Sequence, residues 1–139
     1  TLNGLPDDVT WNVGAGTRRM NLEIGYNDLN NASMNPSGTL DISDGTFNGV
    51  YVGNLWVGYN SQANGTVTSK LDLSNAAVTA GAGATPDTLD VLDLRVGNGV
   101  SANGTVILPS TLTNLSVRAY PAGYGLTVGS GRGAGRVLI

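Results

Sequence analysis

Apolar and polar positions alternate with a two-residue period over short stretches of the chain, as in Leu40-Asp41-Ile42-Ser43 and Leu71-Asp72-Leu73-Ser74. That is the period of a strand with one buried face, because successive side chains of an extended backbone point to opposite sides. The three-to-four spacing of an amphipathic helix is sustained nowhere. Between the alternating stretches lie Tyr59-Asn60-Ser61-Gln62-Ala63-Asn64-Gly65, Asn98-Gly99-Val100-Ser101-Ala102-Asn103-Gly104 and Gly81-Ala82-Gly83-Ala84-Thr85-Pro86-Asp87. Their residues take positive φ or hydrogen-bond their own backbone, and so favour turns. The pattern predicts an all-β chain of short strands.

The alternation also returns at long range. Leu22-Glu23-Ile24-Gly25 recurs as Leu55-Trp56-Val57-Gly58, Leu94-Arg95-Val96-Gly97 and Leu126-Thr127-Val128-Gly129, with the glycines 33, 39 and 32 residues apart. A second motif follows each of these, at Gly38-Thr39-Leu40, Gly65-Thr66-Val67, Gly104-Thr105-Val106 and Gly135-Arg136-Val137. A meander of hairpins has no need of identity three strands later, whereas stacked coils place each motif over its copy. The expectation is an all-β, parallel β-solenoid (β-helix) of about four coils with 33–39 residues per repeat. It forms one domain over 1–139, with an N-terminal partial coil in 1–19, repeats in 20–52, 53–91 and 92–124, and a partial repeat in 125–139. Leu22, Leu55, Leu94 and Leu126 then make one inward ladder and Ile24, Val57, Val96 and Val128 another. Gly25, Gly58, Gly97 and Gly129 turn the corners.

The segments Asn54-Leu55-Trp56-Val57-Gly58-Tyr59-Asn60, Ala63-Asn64-Gly65-Thr66-Val67 and Leu71-Asp72-Leu73-Ser74 resemble the repeats of secreted microbial β-helix proteins, autotransporter-type passenger domains among them. The resemblance covers about residues 20 to 139, and its degenerate motifs specify architecture rather than activity. It implies secretion and a place at the cell surface.

Composition narrows the function classes. A chain that is 40% hydrophobic with a net charge of −3 lacks the low hydrophobicity and high charge of a disordered one, despite its 21 glycines. The single lysine, Lys70, and six scattered arginines make no basic stripe, which argues against a nucleic-acid partner. No apolar run is long enough for a membrane-spanning helix. No signal peptide is visible at Thr1, and the missing initiator Met points to a processed or excised chain. With neither Cys nor His, disulfides, thiolate chemistry and the favoured zinc and copper ligands are gone.

The chemistry-bearing side chains that remain are few. A lyase or glycosidase needs paired carboxylates, or a base beside Ca2+ and an arginine; the candidates are Glu23, Asp41, Asp44, Asp72, Asp87, Asp90 and Asp93, with Arg95 and Arg118. Asp41 and Asp72 hold equivalent repeat positions, which reads as a solvated polar strand face ahead of a site. No cofactor is expected; oxygen-ligand metals remain open, structural Ca2+ among them, but Asp41-Ile42-Ser43-Asp44-Gly45-Thr46 matches neither an EF-hand loop nor the calcium nonapeptide. Four sequons, at Asn31, Asn64, Asn103 and Asn114, are glycan sites in a secreted eukaryotic protein and otherwise Asn-rich turns. Tyr26 and Tyr59 share the position after the repeat glycine and either stack on each other or offer a platform to a sugar, with Trp56 and Tyr51 nearby. Thr66-Val67-Thr68 and Thr111-Leu112-Thr113 do not recur once per coil, as an ice-binding ladder requires.

The ends carry the strongest hint of a role. Neither resembles a polar cap: Leu2, Leu5 and Val9 lie at one, and Val137, Leu138 and Ile139 at the other. Uncapped strand edges recruit further strands, and a head-to-tail contact that does not close gives a filament. The sequence reads as a non-enzymatic, extracellular or cell-surface structural protein that partners itself as a head-to-tail homo-oligomer, filament subunit, surface-layer component or adhesin stalk. A carbohydrate-binding module for surface polysaccharide is the alternative, and a polysaccharide lyase fragment the third.

Overall fold

The computed structural model describes residues 10–12, 20–28, 34–48, 52–61, 65–78, 87–118 and 125–139. These residues form strands and no helix, as the two-residue alternation predicts. In chain order the strands are β1 (Thr10–Asn12), β2 (Met20–Asn27), β3 (Ser37–Asp41), β4 (Thr46–Asn48), β5 (Val52–Asn60), β6 (Val67–Asp72), β7 (Ala77–Val78), β8 (Thr88–Gly99), β9 (Ala102–Ile107), β10 (Asn114–Val117), β11 (Leu126–Gly131) and β12 (Ala134–Leu138).

They make three sheets, ordered β1-β4-β7, β2-β5-β8 and β3-β6-β9-β12, with β10 and β11 both pairing β8. Every pairing is parallel. Parallel neighbours need a long connection, and from β1 to β9 each connection contains one strand of each of the other two sheets, while β8 and β10 are separated by β9 alone. In the second sheet the register sets Leu22 beside Leu55, Leu55 beside Leu94 and Leu94 beside Leu126. Ile24, Val57, Val96 and Val128 form the adjacent column.

Burial along these columns is graded. Leu55, Val57, Leu94 and Val96 are buried and Ile24 nearly so, but Leu22 is half-buried, and Leu126 and Val128 are 56% and 42% exposed. The last two therefore depart from the expected inward ladder in environment though not in register, because among the described residues no strand lies beyond β11 to cover them. Val137 departs the other way: it reads from sequence as exposed, yet it continues the column of Leu40, Leu71 and Val106 and packs against the core. Leu138 and Ile139 are exposed as expected. Leu2, Leu5 and Val9 lie outside the described residues.

One core joins the sheets. Phe47 from β4, Leu40, Leu71 and Val106 from the third sheet, Ile24, Leu55, Val57, Leu94 and Val96 from the second, and Ile42, Leu73, Ala76 and Leu108 from turns pack into a single cluster. Burying a side chain of this size contributes roughly 1.5–3 kcal/mol, and the columns repeat that gain at their interior steps but not at Leu126 and Val128.

The turns explain the glycines. Gly25, Gly58, Gly97 and Gly129 have φ between 61° and 73°, a left-handed conformation that costs a residue with a Cβ about 1–2 kcal/mol. A Cβ on Gly97 would also run into the Ala134 carbonyl, and one on Gly104 into the Val57 carbonyl, so the second-sheet corner and the third sheet meet backbone to backbone. Here the structure corrects the alignment of the second motif. The residues in register with Gly38 and Gly104 are Ser69 and not Gly65, since Leu40 pairs Leu71 and Leu71 pairs Val106. The inward aliphatic position fixes the register, and Gly65 lies before the strand with φ 92°. Ser69 is buried in the slot that glycine fills elsewhere, and its Oγ has no hydrogen-bond partner among the described residues.

Candidate functional site

Outward positions of the second sheet alternate with the buried columns. One outward column runs Glu23, Trp56, Arg95, Thr127; the other runs Tyr26, Tyr59, Asn98, Ser130. Parallel strands about 4.8 Å apart bring flat side chains in such columns to stacking distance. Tyr26 stacks on Tyr59 with ring centroids 5.1 Å apart and on Trp56 at 5.6 Å, while Trp56 and Tyr59 lie 4.9 Å apart. The Arg95 guanidinium covers Trp56 at 4.3 Å from the ring centroid and reaches over Tyr59 at 5.8 Å. Of the two sequence readings of the tyrosines, mutual stacking is the arrangement present.

Hydrogen bonds lock this stack. Asp93 is 4% exposed, and its Oδ2 accepts from Trp56 Nε1 at 3.2 Å and Arg95 Nε at 2.9 Å, with Arg95 Nη2 at 2.8 Å. Its Oδ1 is buried without a hydrogen-bond partner among the described residues. Tyr26 donates its hydroxyl to Asp28, which also accepts from Ser61 one repeat away. Burial first, and then the hydrogen bond to Asp28 and the negative charge around it, push the Tyr26 phenol up to about 12. Those same two hydrogen bonds, Ser61 ahead of Tyr26, hold the Asp28 carboxyl below its ordinary value. At neutral pH the pair is a neutral phenol and a carboxylate.

Beyond Arg95 the stack stops, because the next residues in its columns are the small Thr127 and Ser130. They leave a shallow hollow of about 320 Å3 lined by Tyr59, Arg95, Asn98, Thr127 and Ser130. A second hollow, about 240 Å3, lies beside β12 between Asn103, Thr105 and Arg136.

The carboxylates singled out from sequence are spread over turns and ion pairs. Asp41 and Asp72 are adjacent in register, and each accepts the backbone N–H two residues on, from Ser43 and Ser74, both at 3.1 Å. They are the first residues of Asx-type turns between the third sheet and the first. Lys70 Nζ lies 2.7 Å from Asp72. Burial pushes the Asp72 carboxyl up, but the Lys70 and Ser74 hydrogen bonds outweigh it and the net shift is downward. A general acid needs the opposite shift. Asp90 pairs with Arg118 at 2.8 Å. Among the described residues no three Asp or Glu converge as a cation would require. Asn103 and Asn114 are exposed, while Asn31, Asn64 and Tyr51 lie outside the described residues.

The sequence reading missed a buried amide pair. Asn27 and Asn60 are adjacent in register and at most 2% exposed. Asn27 donates to the Asn60 side chain at 3.1 Å, and Asn60 donates to the carbonyls of Val100 at 2.7 Å and Gly65 at 3.2 Å. The amides satisfy turn carbonyls that burial would otherwise strand. Its signal was the identical triplet Gly-Tyr-Asn at 25–27 and 58–60. The Trp56–Arg95–Asp93 cluster left no such trace.

The arrangement can stack planar groups and hold charge in fixed pairs. Comparisons with protein-family models, with curated proteins and with solved structures find no match for this chain.

Proposed function

We propose that the three parallel sheets are the faces of a β-solenoid, each repeat one coil, and that the protein is a non-enzymatic structural element of a secreted or cell-surface assembly. The observation that carries this reading is the register: from β1 to β9 every third strand joins the same sheet, and β11 and β12 continue two of the three sheets, whereas β10 also pairs β8. Its side chains support the same reading, since the aromatic rings, guanidinium and most carboxylates are engaged with one another in holding turns and columns. Four coils at about 4.8 Å each rise roughly 19 Å, so an extended object needs further coils on the open edges of β11 and β12. Another copy of the chain supplies them, which makes the protein a filament subunit, surface-layer component or adhesin stalk.

Light scattering and electron microscopy of the purified chain test this. The expected result is growth with concentration into elongated particles that give a 4.7–4.9 Å reflection along their axis. A monodisperse monomer at high concentration contradicts it.

The second reading, a binder of surface polysaccharide, is favoured by the hollow beside Tyr59 and Arg95. The stacking of the rings on one another weighs against it, because a sugar platform needs an open ring face. Specific glycan-array binding that Tyr59→Ala abolishes would promote this reading over the first.

A further inference from the structure

Among the described residues the two ends of the stack differ in charge. Residues 20–48 hold Glu23, Asp28, Asp41 and Asp44 and no Lys or Arg, whereas residues 126–139 hold Arg132 and Arg136 and no Asp or Glu. The first segment contains β2 and β3, and the second contains β11 and β12. Among the described residues, the outer edges of all four strands pair with nothing.

Register decides which charges would meet. Asn27 aligns with Asn60, Asn60 with Gly99 and Gly99 with Gly131; Asp28 and Arg132 are the residues that directly follow the two outer members of this column. Residues just past the strand ends reach each other across one repeat, because Ser61 hydrogen-bonds Asp28. Thr39, Lys70, Thr105 and Arg136 form another column. There Lys70 already lies within the field of Asp41 on the neighbouring strand.

We propose that a second copy docks end to end in a single register, β11 against β2 and β12 against β3 of the next copy, with Arg132 on the side where its Asp28 follows β2, and Arg136 opposite its Thr39, diagonal to its Asp41. This rests on the self-assembly reading above and specifies its interface. The apolar positions agree with it. Leu126 and Val128, 56% and 42% exposed, land on Leu22 and Ile24 of the next copy, and Val137 lands on Leu40, extending the three buried columns. A slip of one residue would turn each of these onto an outward position, so burial and charge select the same register.

The test uses two charge-reversed forms of the full chain. Arg132→Glu/Arg136→Glu carries acids at both ends, and Asp28→Lys/Asp41→Lys carries bases at both. Each alone is expected to need roughly tenfold or more the wild-type concentration to assemble, as two attractive pairs become repulsive. An equimolar mixture is expected to assemble again, because every junction then joins opposite charges. Wild-type assembly is expected to weaken in 1 M salt, where the Debye length is about 3 Å. Far-ultraviolet circular dichroism checks that each variant keeps its strands. Should wild type and Arg132→Glu/Arg136→Glu assemble at the same concentration, the register proposal is overturned and self-assembly stands. If the wild type does not assemble at all, both fall.

Discussion

Leu94→Ala is expected to lower the unfolding free energy by about 2–5 kcal/mol, and Leu126→Ala by less than about 1 kcal/mol, although the two residues share one column and one motif. Leu94 is 1% exposed between Leu55 and Leu126, and truncating it removes aliphatic contacts from the middle of the core and leaves a cavity. Leu126 is 56% exposed on the outermost strand of its sheet, so most of its surface is already wet and little is lost. Total stability of a domain this size is on the order of 5–15 kcal/mol, so the first change removes a large share of it. Urea unfolding of both variants below any assembling concentration measures the difference. Equal losses would mean that column position does not set burial.

Gly97→Ala is expected to be at least as damaging, by about 3 kcal/mol or more, for two separable reasons. Its φ of 63° lies in the left-handed region, which costs an alanine about 1–2 kcal/mol by itself. The new Cβ would also land on the carbonyl of Ala134 and close to the Gly135 nitrogen, backbone that cannot rotate away. Gly129→Ala isolates the first cause: φ is 68°, but the nearest atom to its Cβ would be the Gly135 nitrogen at 3.3 Å. That variant is expected to lose only the torsional cost, about 1–2 kcal/mol. Equilibrium unfolding of the pair reads the gap between them. A Gly97→Ala protein no less stable than Gly129→Ala would show that the corner and the third sheet do not approach as closely as described.

These two sites also show why parts of the fold are legible in the residues and others are not. A buried column in a parallel stack demands an aliphatic side chain at the same phase in each repeat, and a corner with positive φ demands glycine. Leu-x-Val-Gly therefore survives as a visible period. The strands β1, β4 and β7 are two or three residues long, too short for an alternation to register, and Thr46-Phe47 shares no identity with its partners Ala77-Val78. Gly65 misled the alignment because a loop glycine and a strand glycine look alike in one dimension; burial of Leu71 decides between them.

The outer face was harder to read for another reason. Glu23, Trp56, Arg95 and Thr127 occupy one column with four different chemistries, since an outward residue answers to its neighbours across columns rather than to its copy in the next repeat. Tyr26 and Tyr59 were visible as a repeated pair. The acceptor that holds Trp56 and Arg95 together beside them, the buried Asp93, is opposite Asn54 in register and carried no repeat signature at all.

Residues one repeat apart lie side by side on parallel strands, and because the native chain contains no cysteine, engineered cysteine pairs can probe that pairing. Lys70 and Thr105 are register partners on the outward face of β6 and β9, within the 4.4–6.8 Å Cα separation a disulfide spans. Lys70→Cys/Thr105→Cys is expected to oxidise to an intramolecular disulfide. Lys70→Cys/Ile107→Cys, displaced along the strand to a separation of about 8 Å, is expected not to. Cross-linking of the second pair as readily as the first, or of neither, would contradict the register on which the whole account stands.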